Sequence, residues 1–77
     1  MYTRKDIIMT LAEFIKKYRK IHKISQPELA IRAKVGLRFI RDLEQGKKTL
    51  RMDKVNAVLS YFGFELGVVE IPLLDSE

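Results

Sequence analysis

A chain of 77 residues has room for one small domain, and a domain this short buries too little surface to hold much stability in reserve. It contains no cysteine and one histidine, which excludes disulfide staples and structural zinc clusters and leaves self-association as the remaining source of support. The net charge of +5 is unevenly spread: all 15 Lys and Arg lie at or before Lys54, where fifteen bases against six acids leave +9, and the residues from Tyr61 onward carry only acids.

A basic body with an acidic tail favours polyanions, either nucleic acid or an anionic surface. No apolar run approaches the ~20 residues of a membrane span. The first ten residues, MYTRKDIIMT, carry charges and no sustained apolar stretch, unlike a signal peptide. Residence in the cytoplasm is expected, with no membrane partner.

The first helix is predicted from Ile7, Ile8, Leu11, Phe14, Ile15, Tyr18 and Ile21, which recur at three- and four-residue steps. Both Thr3-Arg-Lys-Asp6 and Thr10-Leu-Ala-Glu13 have the form of a capping box. The main helix is placed at about 11–22, with 3–9 as a lead-in. Ser25-Gln-Pro-Glu28 is a stronger start signal: Ser caps, Glu answers from the third position, and Pro sits where its missing N–H costs nothing. A second helix over 26–33 follows, with Leu29, Ala30 and Ala33 on one side.

Lys34-Val35-Gly36 is long enough only for a tight turn. The third helix runs over 37–45, with Gly46 as a left-handed residue just past its end. A basic loop, Lys47-Lys48-Thr49, leads to a fourth helix marked by Met52, Val55, Val58, Leu59 and Phe62 and ended by Gly63. From Phe64 the pattern alternates, with Phe64, Leu66 and Val68 on one side, so 64–72 is predicted as a strand. A lone strand leaves its backbone groups unpaired. Pairing with a second copy in a symmetric dimer solves this, with Phe62, Phe64, Leu66 and Val68 at the interface. The expected division is a helical domain over 1–63, a dimerisation strand over 64–72 and an acidic tail over 73–77.

Helix, three-residue turn with Gly, helix is the spacing of a helix-turn-helix, whose second helix enters the DNA major groove. Ile40 and Leu43 point inward, so Arg38, Arg41 and Asp42 face out. Arg38 sits in the first turn, where a side chain reaches base edges, and Arg is the commonest reader of guanine. Arg41 lies one turn on. Leu37 can contact a thymine methyl. Asp42 has two readings: it accepts a hydrogen bond from cytosine, or it pairs with Arg38 four residues before it. Ser25, Gln26, Lys34, Lys47, Lys48 and Arg51 are the candidate phosphate contacts. His22, at the end of an amphipathic helix, reads as a polar terminal residue. No nucleophile, acid pair or metal cluster suggests an enzyme, and no cofactor or metal is expected.

SQPELAIRAKVGLRFIRDLEQGKK resembles the helix-turn-helix of the phage-repressor and Xre family, in Ser25-Gln26, Leu29-Ala30, Ile40 and Leu43-Glu44-Gln45-Gly46-Lys47. With FGFELGVVE after a fourth helix, the whole chain looks like the HipB-like antitoxin branch. The resemblance implies a mainly α, four-helix (λ-repressor-like) bundle with a C-terminal β-strand pairing across a homodimer. It implies a repressor that binds an inverted-repeat operator in double-stranded DNA, and a HipA-like serine/threonine kinase toxin as partner. It also implies a buried ion pair between Arg19 and Glu44 that ties the first helix to the third. The alternatives are a stand-alone regulator of the same family, such as a phage repressor or restriction-modification controller, and a helical protein-interaction module with no DNA role. Many relatives have Ser or Thr where Gly36 stands, which removes one hydroxyl from the phosphate contacts.

Overall fold

The structure is a computed structural model that describes residues 9–68 and 70. It contains four helices among them: α1 over Leu11–Ile21, α2 over Gln26–Ala33, α3 over Leu37–Glu44 and α4 over Met52–Tyr61. The order and number match the sequence pattern, with ends shifted by a residue.

The starts of α1 and α2 are fixed by side chains, to different degrees. At Thr10 the capping box is complete: Thr10 Oγ1 accepts from the Glu13 N–H at 3.1 Å, and Glu13 Oε1 accepts from the Thr10 N–H at 3.0 Å. At Ser25 only half of the expected box forms. Ser25 Oγ accepts from the Glu28 N–H at 3.2 Å, but Glu28 turns to Arg32 instead, at 2.7 Å. A guanidinium four residues ahead on the same face outcompetes a backbone N–H that solvent also reaches. The alternative start at Thr3 lies outside the described residues, and Met9 is not helical.

All four helices end in the same way. A residue with positive φ follows each one: Lys23 at +56°, Lys34 at +61°, Gly46 at +83° and Gly63 at +88°. Behind each, two backbone bonds close the last turn, as in Val35 N to Ala30 O at 3.0 Å with Lys34 N to Ile31 O at 3.2 Å. This is the Schellman arrangement, which satisfies carbonyls that a helix end leaves open. Glycine enters that conformation freely, whereas lysine does so at a cost of about 1–2 kcal/mol.

The core draws on every element: Ile15 of α1, Leu29, Ala30 and Ala33 of α2, Ile40 and Leu43 of α3, and Val55, Val58 and Leu59 of α4. The third helix packs against α1 and α2, and α4 packs against α2. Ala30 and Ala33 leave room for the neighbouring helices to approach. In a core this small, truncating Leu29 or Ile40 to Ala costs roughly 2–5 kcal/mol. The packing holds α3 by its inner face and leaves its other face open.

The segment after α4 departs from expectation in two respects. Residues 64–68 and 70 form no strand. No strand among the described residues lies beside them, and the Phe64 N–H goes to Leu59 O at 2.9 Å and the Leu66 N–H to Asn56 Oδ1 at 2.7 Å. The rest of 64–72, and all of 73–77, lies outside the described residues. Phe62, expected with this segment at an interface, packs inside the single chain. It is 9% exposed and closes the core, with Tyr18, His22 and Tyr61 around its ring at centroid distances of 5.8, 5.0 and 5.2 Å.

Candidate nucleic-acid interface

The site is built outward from one buried carboxylate. Glu44, in the last turn of α3, is 3% exposed. It accepts from Arg19 Nε at 2.8 Å, Arg19 Nη2 at 3.0 Å and Gln26 Nε2 at 3.1 Å. Arg19 Nη1 donates to the Ile24 carbonyl at 3.2 Å. One cluster therefore joins α1, the turn that follows it, the first residue of α2 and the end of α3. The hydrogen bonds that Arg19 donates to Glu44 raise its pKa above the ordinary value, against the opposing effect of burial. No buried side-chain N or O among the described residues lacks a partner.

Gln26 thus carries a second role that its sequence position does not announce. Its amide nitrogen spends one hydrogen on Glu44 and keeps a second for a ligand. The hydroxyl of Ser25 accepts from Glu28 N and keeps its own hydrogen to donate. Both sit at the start of α2, where N–H groups and the helix dipole favour an anion.

On α3 the side facing away from the core carries the base-reading candidates. Gly36 caps the helix with its backbone in the extended region and no side-chain bond, so the first turn opens to solvent. Arg38 is 87% exposed. Arg41 is exposed, with no ion pair among the described residues. Leu37 is half-buried and packs on the core, which leaves part of its side chain for a contact. Gln45 is exposed and falls on the stripe of Arg38 and Arg41, at spacings of three and four. The sequence reading missed it, although that spacing was the available signal.

Asp42 takes both partners within reach. Its Oδ1 lies 3.4 Å from Arg38 Nε, and its Oδ2 lies 3.7 Å from Lys47 Nζ. Lys47 is placed for this by the turn at Gly46, where the Lys47 N–H donates to Asp42 O at 3.0 Å. Lys48 is exposed and unpaired among the described residues, and Lys34 is exposed at its left-handed position. Arg51, which precedes α4, is held by Asp53 through contacts of 3.1 and 2.7 Å. The bond from Arg51 lowers the Asp53 carboxyl below its ordinary value.

Away from α3, Phe64, Leu66 and Val68 are exposed. Phe64 meets Phe14 edge-on at 4.8 Å and Tyr18 at 5.2 Å. With Met9, Leu11, Phe14, Leu59 and Glu65 it lines an apolar cleft of about 390 Å³.

No protein-family model matches the chain. A curated relative from Sinorhizobium fredii, described as the uncharacterized HTH-type transcriptional regulator y4mF, is 41% identical over 59 residues. The match spans 77% of this chain and 78% of the relative. No helix among the described residues is long and apolar enough to cross a membrane. Two short helices joined by a three-residue turn, the second with a cationic outer stripe, are thus found in a chain that matches this relative over most of both lengths: the protein belongs to the helix-turn-helix-type transcriptional regulators.

Proposed function

We propose that this protein is a cytoplasmic, sequence-specific DNA-binding repressor that reads an inverted-repeat operator as a homodimer. The observation that carries this reading is the two-faced character of α3. Its inner face is locked by Ile40, Leu43 and the buried Glu44, and its outer face offers Arg38 and Arg41 to solvent. Rigid support with exposed guanidinium groups is what a helix needs to read base edges in the major groove. Leu37 and Asp42 complete the base-facing set. Ser25, Gln26, Lys34, Lys47, Lys48 and Arg51 serve as phosphate contacts, which fix register without reading sequence.

Dimerisation is supported by the exposed side chains of Phe64, Leu66 and Val68 on a segment whose backbone is only partly paired among the described residues. Pairing of two such segments would form the ribbon that one copy cannot. The likeness of FGFELGVVE to the HipB-like branch extends the proposal: an antitoxin that binds a HipA-like serine/threonine kinase and represses its own operon. Co-expression with a kinase-like product of an adjacent gene, followed by co-purification, tests that extension.

The central test is selection from a randomised duplex library. The expected product is an inverted repeat with half-site centres about 34 Å, one DNA turn, apart. Affinity for it should fall steeply between low and moderate salt, as bound cations are released from phosphate. Enrichment of a single half-site would remove the dimer, and failure to enrich any duplex would remove DNA reading altogether.

A further inference from the structure

We infer that Asp42 is a positioning residue for base recognition: its charge draws Arg38 in on the Nε side, away from the two terminal nitrogens, and draws Lys47 toward the same carboxylate. The inference rests on the DNA-reading function proposed above. It begins with which atoms meet. The nearest approach to Arg38 is at Nε, 3.4 Å from the carboxylate, an ion-pair distance. An Arg side chain meets the O6 and N7 of guanine with two parallel N–H groups, and its end-on pair is Nη1 and Nη2. Asp42 therefore lies closest to the one nitrogen that an end-on guanine contact leaves unused.

Burial distinguishes the partners. The Asp42 side chain is 23% exposed, and that of Arg38 is 87%. The carboxylate is seated against the helix surface, and the guanidinium stands out in solvent. A flexible side chain with one end restrained loses less freedom when it docks. The second oxygen acts on a different kind of contact. Lys47 Nζ lies 3.7 Å away, on the loop that continues from α3 through Gly46. One carboxylate thus sets the relative position of a base-facing cation and a phosphate-facing one.

The charge of Asp42 has a further consequence. It places an anion beside the path of a polyanion, where like charges repel. On a matching duplex the two guanine bonds of Arg38 offset that repulsion. On an arbitrary duplex nothing does. Asp42 therefore weakens binding to the wrong sequence more than to the right one, which is how repulsion contributes to specificity. The expected signature of removing it is a lower ratio of specific to nonspecific affinity, and tighter binding to random DNA.

The test compares wild type, Asp42→Asn, Arg38→Ala and the double variant on two probes: the duplex enriched by selection with wild type, and the same duplex with the guanine sensed by Arg38 replaced. Asp42→Asn keeps the shape of the side chain and removes the charge. It should reduce discrimination between the probes by roughly 2- to 5-fold, in the range of an exposed ion pair. It should also bind the replaced probe more tightly than wild type does. In the Arg38→Ala background the same change should leave discrimination unaltered, a result that a general role in folding would not produce. Equal discrimination by wild type and Asp42→Asn overturns the inference while the DNA-reading function stands. A wild type that binds no duplex overturns both.

Discussion

Glu44 and Asp42 lie two positions apart on α3, yet their surroundings differ at every point that bears on energy. Glu44 is 3% exposed and accepts three side-chain hydrogen bonds of 2.8–3.1 Å from Arg19 and Gln26. Asp42 touches Arg38 and Lys47 at 3.4 and 3.7 Å, and both cations are more than half exposed. Helical geometry explains the separation, since two residues turn the helix by about 200°. One carboxylate is on the inner face and the other on the outer. The first pair cannot open without leaving a charge in the core. The second stands in solvent and adds little to stability. A reading helix needs both, a fixed base and cations presented to a ligand.

The comparison breaks first at Glu44. Removing one partner of a buried pair leaves the other uncompensated, so Glu44→Ala should lose roughly 3–5 kcal/mol of stability by urea unfolding. For a small domain of about 5–15 kcal/mol in total, that is a large share. It should also loosen α1, α2 and α3 together, because Arg19 and Gln26 meet at the same carboxylate. A loss below about 1 kcal/mol would mean that Glu44 behaves as an exposed pair does, and the contrast with Asp42 would fall.

What the sequence discloses depends on how far the relevant physics reaches along the chain. Thr10, Ser25, Gly46 and Gly63 are short-range signals, and the helices start or stop beside them. Lys23 and Lys34 turn the chain in the same way, yet nothing in a lysine marks it for the left-handed region. The packing of the helices on either side puts them there. Glu28 illustrates the same limit: its spacing from Ser25 suggests a reciprocal cap, and its spacing from Arg32 suggests a salt bridge. Only the folded geometry decides for the second. Phe62 fits both the last turn of α4 and the start of an apolar tail, and the core claims it. A strand needs a neighbour to pair with, and none forms among the described residues, so alternation alone does not decide the outcome after Phe64. At the site, Arg38 and Arg41 are readable from helical period, whereas the bond from Gln26 to Glu44 spans eighteen positions and has no local trace.

The next comparison sets Arg38 against Lys47, the two cations at Asp42. Arg38→Ala should leave stability within about 0.5 kcal/mol and relax preference at one base pair, worth about 1–3 kcal/mol of discrimination. Lys47→Ala should weaken binding to all duplexes alike and reduce the slope of log affinity against log salt by about 1. Binding isotherms on selected and scrambled duplexes at several salt concentrations separate the two. Equal losses on both duplexes for Arg38→Ala would place Arg38 on phosphate and leave base reading to Arg41 and its neighbours.

The smallest expected effect concerns a third ion pair, Arg51 with Asp53, which is exposed on both sides but closer than the contacts at Asp42. In the free protein the hydrogen bond from Arg51 lowers the Asp53 pKa. Stability from this pair is therefore present above the unfolded pKa and is lost as pH falls through the lowered folded one. If Arg51 turns to a DNA phosphate, Asp53 loses its cation and gains a nearby anion, and both changes raise its pKa. The complex then holds a proton more readily than the free protein. Between the two pKa values, binding takes up protons and affinity rises as pH falls. Titration of the Asp53 carboxyl by NMR, with and without duplex, should show an upward shift on binding. In Arg51→Ala the free protein should start nearer the ordinary carboxylate value, and binding should shift it less. An equal shift in both proteins would assign the whole effect to the DNA charge, and Arg51 would then remain with Asp53 in the complex and belong with the structural pairs.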